Sequence, residues 1–114
     1  MYMLPCVLDV STLYLLKNIK SKLREQGVFM DYSEILRNTL SKFEDIKFEH
    51  KEFERRVVRL FDDDVVEGVK QLSAKHNVTD NDVIRGLLEH YIQQLKEVEA
   101  LCGQKNTDRR ILTK

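Results

Sequence analysis

Residues 55–61 read Arg-Arg-Val-Val-Arg-Leu-Phe, followed directly by Asp62, Asp63 and Asp64. The run mixes β-branched and aromatic side chains with arginine, which suits a half-exposed strand. Asp62, Asp63 or Asp64 then supplies a helix N-cap, where negative charge also suits the positive end of the helix dipole. Val65, Val66, Val69 and Leu72 follow as the apolar stripe of that helix. Asn77 marks its end, because asparagine tolerates a left-handed turn better than most residues. Thr79 caps a second helix, with Asp82 at the capping-box position. Down that helix runs a long apolar stripe: Val83, Ile84, Leu87, Leu88, Tyr91, Ile92, Leu95 and Val98. Two phases are open for the strand. Counting back from the cap turns Arg56, Val58 and Leu60 outward, whereas polarity turns Arg55, Val57 and Arg59 outward. Polarity is preferred, since burying an unpaired guanidinium is costly.

The same order of signals stands upstream. From Leu4 to Val10 the chain alternates, with Leu4, Cys6, Leu8 and Val10 on one face and Pro5, Val7 and Asp9 on the other, the pattern of a strand. Ser11 or Thr12 is the cap of a helix carrying Leu13, Leu16, Ile19 and Leu23 at helical spacing, with Lys17, Lys20, Lys22 and Arg24 between them. Gly27 is expected in the left-handed position that closes it. Asp31, with Glu34 at the box position, caps the next helix, whose apolar face is Ile35, Leu36, Leu40 and Phe43. Glu34-Ile35-Leu36-Arg37-Asn38-Thr39-Leu40 aligns with Asp82-Val83-Ile84-Arg85-Gly86-Leu87-Leu88, and Asp31 and Thr79 stand at the same offset. The first copy has the longer loop, Val28-Phe29-Met30. The chain therefore reads as one strand–helix–helix unit used twice. Residues 1–43 form the first unit and 55–101 the second, joined by a charged connector, 44–54, that is either partly helical or an extension of the preceding helix. Residues 102–114 form a basic tail with Lys105, Arg109, Arg110 and Lys114, read as disordered and solubilising, or else as a source of salt-dependent DNA contacts.

At 114 residues, half a chain cannot bury enough apolar surface to stand alone, so the two units must pack against each other or against other units. Hydrophobic residues make up 42% and charged residues 33%, which fits a soluble, helix-rich globule better than a disordered tail. Formal net charge is zero, with 8 Lys/Arg against 9 Asp/Glu up to Glu54 and 11 against 10 beyond it. Any attraction to DNA must then come from local clusters and not from an overall field. Cys6 and Cys102 are too few for a disulfide framework. The opening MYMLPCVLDV lacks a basic n-region and a cleavage site, and its apolar run is far below the roughly 20 residues that cross a bilayer. A cytoplasmic setting is expected.

A short strand followed by two helices with a left-handed turn between them, the second opening apolar-apolar-Arg, resembles the ribbon–helix–helix (MetJ/Arc-like) DNA-binding family. The resemblance covers Leu4 to Phe43 and again Arg55 to Leu95. It implies a mainly helical fold with a short β-ribbon, in the order β-α-α-β-α-α. The tandem form resembles the duplicated regulators of plasmid transfer and archaeal viruses. In the family, a two-stranded antiparallel ribbon enters the major groove and its outward side chains touch base edges. The backbone amides that open each second helix hold phosphate. Carried over, Arg55, Arg56, Val57 and Arg59 are the expected ribbon contacts. Thr79 and Asn81, with Asp80 between them, are the phosphate anchors of the second unit, and Asp31-Tyr32-Ser33 those of the first. The first strand departs from the pattern, having no basic or amide residue facing out. Either it pairs with the second strand inside one chain, or the second copies of two chains pair to read DNA while the first copies serve assembly. The latter is preferred, because the first strand is so apolar.

The expectation is a sequence-specific transcriptional regulator, a repressor by default, acting on double-stranded operator DNA as a homodimer or larger assembly, without cofactor or metal. No catalytic constellation or phosphate loop appears, so no enzymatic role is expected. His76, His90 and Cys102 loosely resemble the ligand spacing of a nickel-sensing relative, but a helix end and a helix interior account for the two histidines. The alternatives are a protein–protein or antitoxin-like module of the same fold, or an accessory DNA-binding protein of a plasmid or virus.

Overall fold

A computed structural model describes the backbone of residues 2–42 and 46–113, and the side chains as far as residue 97. The order is β1 (Met3–Asp9), α1 (Val10–Glu25), α2 (Tyr32–Lys42), β2 (Arg56–Asp62), α3 (Asp63–His76) and α4 (Asp80–Thr113). The chain is mainly helical, with one two-stranded antiparallel sheet. Among the described residues no helix is long and apolar enough to cross a membrane.

β1 pairs with β2 inside the chain, Met3 opposite Asp62 and Asp9 opposite Arg56. This overturns the preferred pairing between second copies of two chains: the apolar first strand needs a partner, and the nearest one is on its own chain. Exchanging Met3–Asp9 for Arg56–Asp62 maps the ladder onto itself, with the Cys6–Arg59 pair at its centre. The ribbon thus has a local two-fold. It extends to the ribbon ends, where Val10 N–H donates to the Arg55 carbonyl (2.9 Å) and Asp63 N–H to the Tyr2 carbonyl (2.8 Å).

Both helix pairs turn in the same way. Gly27 (φ 79°) and Asn77 (φ 55°) are left-handed. After them, Val28 N–H reaches the Leu23 carbonyl (2.8 Å) and Val78 N–H the Ser73 carbonyl (3.0 Å), which satisfies carbonyls the helix ends would leave open. Glu34 N–H donates to Asp31 Oδ1, and Thr79 and Asp82 cap each other reciprocally. At the strand–helix joints the cap of α1 is Asp9 and not Ser11 or Thr12, while that of α3 is Asp62, one of the three aspartates expected there. Asp9 and Asp62 occupy the N-cap positions without a side-chain cap bond. Thr12 is fully buried, its hydroxyl without a partner. The strand is one residue earlier at each end of β1 than the alternation indicates, because α1 already begins at Val10.

The core forms where the expected stripes converge: Leu16, Ile19 and Leu23 of α1, Ile35 and Leu36 of α2, Val65, Val66 and Val69 of α3, and Val83, Ile84, Leu87, Leu88 and Tyr91 of α4, under Leu8 and Phe61 of the ribbon. Phe43 lies outside the described residues, as does the side chain of Val98. Residues 46–53 form neither helix nor strand. Residues 102–113, read as a disordered tail, continue α4 as helix through Gly103 to Thr113, with no proline to break it. The side chains of Lys105, Arg109 and Arg110, and Lys114 itself, lie outside the described residues.

Candidate nucleic-acid interface

The phase of β2 is set from its end. Phe61 is buried under the ribbon and Asp62 sits at the turn into α3, so Arg56, Val58 and Leu60 face solvent. On β1, Val7 lies opposite Val58, Pro5 opposite Leu60 and Met3 opposite Asp62, while Asp9 stands opposite Arg56. The polarity-based phase is therefore overturned, and Val57 points inward, half-buried. One buried aromatic outweighs two arginines here because a one-residue slip would expose Phe61 and turn every other side chain over with it. Arg59 escapes the penalty that argued against its inward phase. Its guanidinium lies 5.1 Å from the Tyr32 ring centroid, so the stem is covered while the charge stays at the edge. Arg56 rests similarly on Phe53, 5.1 Å away. Arg55 stands on the bend before β2 and is exposed.

The acids beside the ribbon are otherwise engaged. Arg37 of α2 makes two bonds to Asp64 (2.7 and 2.9 Å) and one to Asp62 (2.9 Å). That fork holds the Asp64 carboxyl below its usual range. Asp9, expected to face out and repel phosphate, is buried. It accepts the backbone N–H groups of Arg55 (3.1 Å) and Glu54 (3.4 Å), and these bonds, that of Arg55 foremost, keep it ionised below the ordinary carboxylate range. Among the described residues Arg55, Arg56 and Arg59 have no acidic partner.

The two helix starts that the resemblance assigns to phosphate are unlike. At α2, the Tyr32 ring lies between Lys20 (4.8 Å) and Arg59, beside a cavity of about 490 Å³ that also touches Asp31 and Asp62. At α4, Asp80 takes the equivalent place and is held by Lys70 and Ser73, each at 3.0 Å. Thr79 is occupied as a cap. Asn81 is buried, its Oδ1 accepting the Asp9 N–H at 2.9 Å. Thr79 and Asn81 are therefore engaged within the fold, and the cation at the α4 start, Lys70, is held by Asp80, whereas the α2 start brings Lys20 and Arg59 together on Tyr32.

The connector carries a cluster that sequence reasoning missed. Phe48 is buried against Gly86, where a Cβ would come within 2.7 Å of Phe48 Cδ1. Arg85 donates to the Glu49 carbonyl (2.6 Å). Asp82, fully buried, accepts from His50 Nδ1 (2.7 Å) and Lys51 N–H (3.0 Å). Burial alone would raise the Asp82 pKa, but these donors and Thr79 outweigh it and hold the group low. The same contact, with a weaker one to Glu52, raises His50. The signal that could have found Arg37 and Arg85 as structural forks was present: they are the aligned arginines of the two repeats. Among the described residues no cluster of His, Cys, Asp and Glu is arranged to hold a metal ion.

Comparison of the chain with protein-family models, curated proteins and solved structures gives no match.

Proposed function

We propose that the chain is a tandem ribbon–helix–helix protein that binds operator DNA through its ribbon and acts as a transcriptional regulator, with no enzymatic role. The observation that carries this reading is the sorting of charge around β2. Arg37 takes Asp62 and Asp64, Asp9 is buried on backbone amides, and among the described residues Arg55, Arg56 and Arg59 are left without an acidic partner. A ribbon flanked by such guanidinium groups, with Asp62 and Asp64 bonded to Arg37 and Asp9 to backbone amides, meets a phosphate backbone favourably even in a neutral protein. Arg56 is the outward base reader, and Arg55, Arg59 and Lys20 are backbone contacts along its flank. One chain supplies both strands, so a homodimer adds a second ribbon instead of completing the first. Repression by occluding polymerase, in the cytoplasm, is the default consequence.

Mobility shift with random duplex DNA at low and moderate salt tests the reading. Binding should weaken steeply with salt, in proportion to the phosphates contacted. Alanine at Arg55, Arg56 and Arg59 together should abolish it while leaving the thermal melt nearly unchanged. Equal affinity of variant and wild type would remove these residues as readers.

A second reading rests on the outer ribbon face. Val58 is 58% exposed and Leu60 55%, with Met3 and Val7 beside them, and exposed apolar patches mark protein contacts as well. Sedimentation of the free chain separates the two: association through this face without DNA favours a protein-docking module.

A further inference from the structure

The outward face of the ribbon is chemically lopsided in two ways. Along its middle, Pro5 and Val7 face Leu60 and Val58, none with a hydrogen-bonding side chain. At one end stands Arg56; the position equivalent to it under the local two-fold is Met3. Resting on the DNA-binding reading above, we propose that the ribbon recognises a non-palindromic, thymine-rich duplex, through the thymine C5-methyl groups along the middle and one guanine under Arg56.

The argument is one of matching chemistries. Each base pair offers the major groove a pattern of donors and acceptors, and thymine alone adds a methyl group. A side chain without polar atoms cannot repay the desolvation of a guanine or cytosine edge, whereas valine, leucine or proline packs against a methyl with no such loss. Arg56 is the only outward side chain of β2 with donors, and its fork fits guanine O6 and N7. The arginines at the flank, stacked on Phe53 and Tyr32 and without an acidic partner among the described residues, favour a polyanion over an apolar protein surface on this face. Asymmetry follows from the covalent linkage of the strands. A homodimeric ribbon repeats one set of side chains, so its sites mirror its two-fold. Here the two strands differ at each equivalent pair, Met3 and Arg56, Pro5 and Val58, Val7 and Leu60. The helix starts that flank the ribbon differ as well: Lys20 and Tyr32 lie at one, Asp80 at the other.

The test is selection of duplexes from a random library by the full chain, followed by replacement of each thymine in the bound site with deoxyuridine. Deoxyuridine pairs identically and lacks only the methyl. Selected sites should be rich in A·T, unequal in their two halves, and should lose about fourfold in affinity for each contacted methyl removed, the worth of one buried methylene-sized group. In Val58→Ala and Leu60→Ala, both exposed and foldable, that thymine-over-deoxyuridine preference should shrink. A bound duplex that tolerates full deoxyuridine replacement overturns the methyl reading while leaving DNA binding intact. Palindromic selected sites overturn the asymmetry. Failure to retain any duplex, or self-association of the free chain abolished by Val58→Asp, removes the DNA reading and this inference with it.

Discussion

The backbone N–H of Asp9 donates to Oδ1 of Asn81 at 2.9 Å, across 72 positions of sequence. Its counterpart is the Asp62 N–H, which donates to Ser33 Oγ, also at 2.9 Å. The last residue of each strand is thus held by the first turn of the opposite unit's second helix. The two repeats are laced crosswise at both ribbon ends, which fixes how far the ribbon stands from the helices.

Removing that lacing should destabilise without touching the interface. Asn81→Ala leaves the Asp9 N–H unpaired where burial is deepest, a loss of about 1–3 kcal/mol. Ser33→Ala should cost less at its more accessible end. Urea denaturation measures both, and a stability for Asn81→Ala equal to wild type would contradict the bond's role.

Arg37→Ala separates electrostatics from stability. The Arg37 side chain is 42% exposed and Asp64 52%, so the pair is worth at most about 1 kcal/mol to folding. Yet its removal returns two carboxylates to the edge of the ribbon. A small shift in melting temperature with a marked loss of DNA affinity is expected. DNA binding at wild-type strength would show that charge sorting near β2 is irrelevant.

Gly86→Ala probes the connector. A Cβ there would sit 2.7 Å from Phe48 Cδ1 and 3.0 Å from Cε1, so the ring must leave its slot, at about 1–3 kcal/mol for overpacking. Pairing it with Phe48→Ala should recover part of the loss that the two single variants predict together. Strict additivity in a double-mutant cycle would mean the contact is not made.

His50 makes the connector sensitive to pH. Its folded pKa is raised above the ordinary value of 6.5 by Asp82 and then Glu52. The stabilisation is therefore fully present below pH 6.5 and is lost as pH rises through the raised value. Amide exchange of residues 48–52 should quicken on going from pH 6 to pH 8 beyond its intrinsic base dependence. His50→Gln should remove that excess. A wild-type profile matching the variant's would exclude the link.

Much of this protein was fixed by local rules. Gly27 and Asn77 close the first helix of each unit because few other residues enter the left-handed region readily. The valine and leucine stripes of α1 to α4 found the core because helical periodicity admits few other arrangements. The order strand–helix–helix, met twice along the chain, was legible from the matching caps. Tertiary structure decided three things that no local signal contains. It chose β1 as the partner of β2, a choice between equivalent edges that only chain connectivity resolves. It set the ribbon phase by Phe61, since burying that aromatic in the core outweighs the polarity of arginines long enough to reach the surface from either face. And it assigned the acids: Asp62 and Asp64 to Arg37, and the Asp9 carboxylate to the backbone amides of Arg55 and Glu54. Which carboxylate meets which cation depends on distances between elements far apart in sequence, and Coulomb interaction falls off with distance in space, not along the chain.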